Sequence, residues 1–147
     1  MEQLWEAAEF VRKLQTRMRF GQLSRARLRL LRLELCGDLA ECEWMARPPD
    51  PWDAGLLASI GERNASRQAL QDSLAVRSLL FSAIPGVSTA VFRVYRQAGD
   101  GEAALIITGT MNRHEEVADH IPSLAMRAKL CGFRFWLDDG VLGTLQP

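Results

Sequence analysis

The sequence predicts an α+β fold, a two-layer sandwich with a mainly antiparallel sheet. An N-terminal helix is followed by two successive β-hairpin–helix units and one or two C-terminal strands. Three observations predict it. Leu4, Ala7, Val11, Leu14 and Met18 recur at steps of three and four, the period of a helix. Two stretches alternate in polarity on either side of a short turn, Gly37-Asp38 in the first and Ala98 to Gly101 in the second. Each is followed by a helical pattern, and such helices must bury their apolar sides against the sheet. A chain of 147 residues with 48% hydrophobic and 24% charged residues has the composition of one globular domain. Its parts are expected at residues 1–20, 24–84, 87–131 and 133–146.

The first helix is expected from Glu2 to Met18, and Gly21 and Ser24 break it. Two heptads are too few for a coiled coil, so its stripe packs on the chain's own sheet or on a second subunit. Next comes Ser24 to Leu35, in which Arg25, Arg27 and Arg29 alternate with Ala26, Leu28 and Leu30. Two leucines then stand together, and the phase flips to Leu31, Leu33 and Leu35. One extra residue near Leu30–Leu31, a β-bulge, restores a single apolar face. The Gly37-Asp38 turn sets the register with the strand Ala40 to Arg47. Leu35 then faces Ala40, Leu33 faces Cys42, Leu31 faces Trp44 and Arg32 faces Glu43. Glu34 opposite Glu41 is the one like-charge pair.

Pro48 and Pro49 close that strand. Asp50, Pro51 and Asp53 read as an N-cap, a proline at the first helical position and an acidic first turn. The region up to Pro85-Gly86 is expected to break into two helices, with Gly61 as the stop and Asn64 or Ser66 as the new cap. Its later part carries Val76, Leu79 and Leu80 beside the main stripe of Leu70, Leu74, Phe81 and Ile84, so it is expected to be buried on more than one side.

In the second hairpin Ala90, Phe92 and Val94 share a face with Leu105 and Ile107. Val91, Arg93, Tyr95 and Ile106 take the other. Asn112 with Glu115 then resembles a capping box. Val117, Ile121, Leu124, Ala128 and Cys131 form one stripe that passes through Pro122 as a kink, and Gly132 is the stop. Phe133, Phe135 and Leu137 alternate as a strand, and Asp139-Gly140 turns it into a short last one.

Composition limits the function classes. Net charge is zero, yet residues 12–32 hold eight basic residues and no acidic one. The N-terminus lacks a signal-peptide pattern, and no apolar run reaches the ~20 residues of a membrane span. Cys36, Cys42 and Cys131 form no CxxC and read as reduced, buried thiols of a cytoplasmic chain. His114 and His120 are six apart, and only Glu116 and His120 have helical ligand spacing, so no metal is expected. No phosphate loop, GxSxG or dinucleotide fingerprint appears, and no cofactor is implied.

Three functions remain as expectations. The leading one is a non-catalytic protein-interaction or scaffold module acting as a homodimer. Its interface is expected at Val91, Tyr95, Ile106, Leu79, Leu80, Met126 and Leu130, apolar residues that one small sheet does not readily hide. The alternative is a nucleic-acid or anion binder using Arg25, Arg27, Arg29, Arg17 and Arg19. Nucleic acid is disfavoured, because Glu41 and Glu43 share the outward face and the hairpin offers no outward aromatic for stacking. The third is an enzyme with a dispersed site of carboxylates and arginines.

Overall fold

The computed structural model describes residues 2–99, 101–114 and 120–145. The order is helix α1 (Glu2–Arg17), strands β1 (Arg29–Cys36) and β2 (Leu39–Met45), a 3-10 turn (Pro51–Gly55), helix α2 (Ala58–Ala83) and strands β3 (Thr89–Gln97) and β4 (Ala103–Asn112). Helix α3 (Leu124–Leu130) follows, then β5 (Phe133–Phe135), β6 (Leu137–Asp138) and β7 (Val141–Leu142). The fold is mixed α+β. β1 to β5 form one sheet in the order β1-β2-β3-β4-β5, and β6 and β7 form a small second sheet. Four of the five strand pairings are antiparallel. β2 and β3 are parallel, with the 3-10 turn and α2 making the crossover between them.

The first hairpin has the expected register at Leu35–Ala40, Leu33–Cys42, Arg32–Glu43 and Glu34–Glu41. Gly37 has φ of +61°, as the first central residue of a primed hairpin turn requires. The bulge is also present, but Leu30 pairs with Trp44 in place of the expected Leu31. Leu31 is the extra residue and is 44% exposed.

Alternation sorts the sheet. Ala40, Cys42 and Trp44 of β2, Ala90, Phe92 and Val94 of β3, Ile107 and Met111 of β4, and Phe133 and Phe135 of β5 are all buried. Glu41, Glu43, Val91, Arg93, Tyr95 and Thr108 between them are only half-buried. On the buried side Trp44, Phe92 and Phe133 form an aromatic row with centroid separations of 6.0 and 5.7 Å. Each large side chain of this kind contributes about 1.5–3 kcal/mol by leaving water. Gly109 pairs with both Phe92 and Phe133. A Cβ there would lie 2.9 Å from the carbonyl oxygen of Gly132 and 3.2 Å from the Cα of Phe133, so the strand needs glycine at that point.

Several expectations are corrected. Along α1 and the turn residue that follows it the buried line is Phe10, Leu14 and Met18, and Leu4 is 73% exposed. At 3.6 residues per turn Phe10 and Met18 each lie about 40° from Leu14 around the axis, whereas Leu4 lies about 80° away. α1 packs against α2. Residues 58–83 form one helix of 26 residues, with Gly61 and Ser66 inside it. Gly61 is not a stop: it lies where the 3-10 turn packs on α2, and a Cβ there would meet Asp53 and Pro49 at ordinary packing distance. Val76, Leu79 and Leu80 are buried, as expected of a helix covered on more than one side. The capping residues Asp50, Pro51 and Asp53 begin the 3-10 turn, with the Asp50 carboxylate accepting from Trp52 N–H.

Ile106 does not share the half-exposed face. A register shift between Val94 and Tyr95 leaves Ile106 without a cross-strand partner, and it is buried together with Ile107. Asn112 ends β4 and caps no helix among the described residues. Glu115 and Val117 lie outside the described residues, as does Glu116 of the weighed histidine pair. The helical stripe does not run through Pro122: α3 begins after it, at Leu124, where the Ser123 hydroxyl accepts from Met126 N–H. Gly132, with φ of +114°, follows its end. Asp139 (φ +52°) and Gly140 (φ +80°) turn β6 into β7, the short last strand. Cys42 and Cys131 are buried, and burial pushes the Cys42 thiol up to about 12. Cys36 is exposed at the end of the edge strand. No helix among the described residues is long and apolar enough to cross a membrane.

Candidate functional site: an arginine-lined cavity

Pro48 and Pro49 end β2, and the chain before β1 follows them in place of pairing with the strand. The Ser24 hydroxyl donates to the carbonyl of Pro48 at 2.8 Å, and Arg25 N–H donates to the Asp50 carboxylate at 2.9 Å. For that reason β1 starts at Arg29, and Arg25 and Arg27 precede the ladder that the alternation predicted for them. The Arg25 guanidinium also pairs with Asp50 and lies over the Trp52 ring at 4.9 Å. The N–H of Trp52, then the N–H and guanidinium of Arg25, hold the Asp50 carboxyl below the usual carboxylate range.

A buried clamp holds the rest of the segment. Arg47 donates through Nε and Nη2 to the two carboxylate oxygens of Asp72, at 2.8 and 3.2 Å. Its remaining donors go to backbone carbonyls: Met18 at 2.8 Å, Ala26 at 2.8 Å and Arg19 at 3.3 Å. All five N–H groups of the guanidinium are thereby occupied. Gln68 completes the clamp, donating to Asp72 at 3.0 Å and accepting from Leu23 N–H at 2.6 Å. The Gln68 side chain fills the space where a Cβ on Gly21 would stand. Burial raises the Asp72 carboxyl above its ordinary value, against the pull of Arg47 and Gln68.

This clamp sets the wall of a cavity of about 510 Å³. It lies at the ends of the parallel strands β2 and β3 and beside the early turns of α2. Four arginines line it, Arg27, Arg29, Arg47 and Arg96, with one carboxylate, Glu62. Much of the remaining wall is apolar and comes from Met45, Ala46, Pro48, Pro49, Ile106 and Val141. The arginines differ in what they can offer. Arg47 is saturated and its charge is matched by Asp72. Arg96 donates to the carbonyl of Leu142 at 2.6 Å, and the Ser66 hydroxyl accepts from Leu142 N–H at 2.9 Å, so both backbone groups of Leu142 are tied down. The side chains of Arg27 and Arg29 are exposed, and their guanidinium groups make no hydrogen bond, ion pair or ring contact among the described residues. Such a cavity combines free, positively charged donors with an apolar floor. Its size falls in the range of small-molecule sites, roughly 300–1,000 Å³.

The residues named from sequence are therefore dispersed. Arg27 and Arg29 meet in the cavity. Arg25 is engaged by Asp50 and Trp52, Arg19 lies over the exposed ring of Phe20 at 5.1 Å, and Arg17 is exposed on α1. The expected apolar interface is also divided. Leu79, Leu80 and Ile106 are buried in the chain's own core. Met126 and Leu130 are exposed on α3, and Val91 and Tyr95 are half-buried on β3. Sequence reasoning missed Arg96, Glu62 and the Arg47–Asp72 clamp. Asp72 carried a usable signal: it is a lone carboxylate one helical turn before Val76, on a helix expected to be buried on more than one side. Among the described residues no group of three or more His, Cys, Asp and Glu side chains is placed to hold a metal. Comparison with protein-family models, curated proteins and solved structures gives no match.

Proposed function

We propose that this chain is a ligand-binding module whose cavity takes a small amphiphilic anion, a carboxylate or phosphate carried on an apolar body. The observation that carries this reading is the pair Arg27 and Arg29. Two guanidiniums without a partner among the described residues stand at a cavity with apolar walls, beside Arg96 and opposed by the single carboxylate of Glu62. Guanidinium groups favour carboxylate and phosphate because their planar forks match two oxygens at once. The apolar wall then adds affinity that inorganic phosphate alone cannot use. We also infer that the helices cover one face of the five-stranded sheet, as in a two-layer sandwich. Support comes from the contrast between the buried Trp44–Phe92–Phe133 side and the half-buried Glu41–Arg93 side.

The test is calorimetric titration with inorganic phosphate, phenyl phosphate, octanoate and phenol. Phenyl phosphate and octanoate are expected to bind more tightly than inorganic phosphate, and phenol is expected not to bind. Failure of all four at millimolar concentration overturns the reading. Tight binding of a single-stranded oligonucleotide in their place also overturns it, in favour of a nucleic-acid surface built on Arg25–Trp52 and Arg19–Phe20. The interaction-module reading keeps one specific support: Leu4 and Trp5 on α1 are 73% and 75% exposed.

A further inference from the structure

We infer that β1 is the contact strand of a homodimer, pairing antiparallel with β1 of a second copy about a two-fold axis through Leu33. β1 is the first strand in the sheet order and, among the described residues, has a strand neighbour, β2, on one side only. It is eight residues long, and its outer edge, without a strand partner among the described residues, offers backbone groups to another strand. This surface is separate from the apolar one expected from sequence, and it does not depend on what the cavity binds.

The register follows from symmetry and charge. A two-fold axis perpendicular to the sheet pairs each residue with its symmetry-related position across the axis, on the same face. Centred on Leu33, it sets Leu33 against Leu33 of the partner subunit, Arg32 against the partner's Glu34, and Glu34 against the partner's Arg32. Opposite charges directly across a ladder are stabilising. A centre on Arg32 would oppose two arginines, and a centre on Glu34 would oppose two glutamates. The Leu33 centre also sets Leu31, the 44%-exposed bulge residue, against the partner's Leu35.

Charges within the chain favour the same answer. Glu34 lies opposite Glu41 in the β1–β2 ladder. Arg32 is shared among Glu34, Glu41 and Glu43, while Arg93 reaches Glu41 and Glu43 at 3.5 and 3.4 Å. Three carboxylates thus share two guanidiniums, and Glu34, the one nearest the edge, relies on Arg32 alone among the described residues. A second copy brings another guanidinium to it. The Gln3 side chain donates to the carbonyl of Gly37 at 2.6 Å, which fixes the first turn of α1 beside the hairpin tip. The exposed Leu4 and Trp5 therefore stand near this end of the strand.

Sedimentation velocity across roughly 1–200 µM tests the inference, a range suited to a short, exchangeable interface. The parent chain is expected to pass from 16.5 kDa to twice that mass. Arg32→Glu and Glu34→Arg are each expected to be monomeric, because each opposes like charges twice. Mixed in equal amounts they are expected to form a heterodimer, since one copy then presents two carboxylates and the other two guanidiniums at the paired positions. Circular dichroism checks that each variant is folded. Leu31→Lys leaves every ion pair intact and is expected to lower the dimer fraction, which keeps the test decisive where a charge variant does not fold. A parent that stays monomeric throughout overturns the inference. So does a dimer that survives Arg32→Glu, Glu34→Arg and Leu31→Lys alike, or a mixture of folded charge variants that stays monomeric.

Discussion

Arg47→Met tests how the cavity is held in shape. The Arg47 side chain is 1% exposed and that of Asp72 is 5% exposed, so removing the guanidinium leaves a buried carboxylate without its counter-charge. Breaking a buried pair in this way costs about 3–5 kcal/mol. The carbonyls of Met18, Arg19 and Ala26 lose their donor as well, and each one kept from water adds about 1–3 kcal/mol. A domain of this size has about 5–15 kcal/mol of stability in all, so the variant is expected to be barely folded at room temperature. Asp72→Ala is expected to cost less, because Arg47 keeps its three carbonyl acceptors. The double variant Arg47→Met/Asp72→Leu is expected to be more stable than the sum of the two losses allows, by at least 1 kcal/mol, within the range of about 0.5–3 found for contacting residues. Urea denaturation at low temperature measures all three. A loss below about 1 kcal/mol for Arg47→Met, or strict additivity in the cycle, would refute the claim that this pair clamps residues 18–26 to α2.

Two other variants probe the frame. The Asp50 carboxyl is held below its ordinary value, so the folded chain releases that proton more readily than the unfolded chain does. Its contribution to stability is present above the ordinary carboxylate range, near about pH 4, and is lost as pH falls through the lowered value. Asp50→Asn is therefore expected to lower stability at neutral pH and to flatten the loss on acidification, as read by thermal melts from pH 7 to 3. An unchanged acid limb would contradict the assignment. Gly109→Ala is expected to cost about 1–3 kcal/mol through the backbone contact with Gly132, and a melt within a degree or so of the parent would show that β5 shifts freely to accept a methyl group.

Much of this molecule was legible because the signals were local. The Arg25–Leu35 run shows its bulge as two adjacent leucines, and Gly37-Asp38 fixes the hairpin register within a few residues. The parallel pairing of β2 with β3 was not legible in that way. It depends on how the 3-10 turn and α2 carry the chain from Met45, the end of one strand, to Thr89, the start of the next. Periodicity also misplaced α2, since Gly61 and Ser66 resemble a stop and a cap. In the fold Gly61 lies inside the helix where the 3-10 turn packs against it, and Ser66 binds the backbone of Leu142. The helix expected across Pro122 failed for the opposite reason: an apolar stripe persists in sequence where the described helix starts only after the proline.

The site divides along the same line. Arg27 and Arg29 could be named from their spacing, but spacing could not separate them from Arg25, which Asp50 engages from a position 25 residues away. Arg96, Glu62 and Val141 reach the cavity from β3, α2 and β7, and no local pattern connects them. Arg47 ends a strand in sequence and is a buried hub in structure. Its role depends on carbonyls at Met18, Arg19 and Ala26, groups that carry no side-chain signature.

The most direct measurement is the affinity for phenyl phosphate, by calorimetry at low ionic strength, of the parent and of Arg27→Gln/Arg29→Gln. Each charge-assisted hydrogen bond to an anion is worth about 1.5–3 kcal/mol, so losing even one weakens binding by about tenfold or more. The double variant is expected to lose at least that factor while its melting temperature stays close to the parent's, because neither arginine has a partner to lose among the described residues. Equal affinity in the two proteins would contradict the proposal that these two arginines receive the anion.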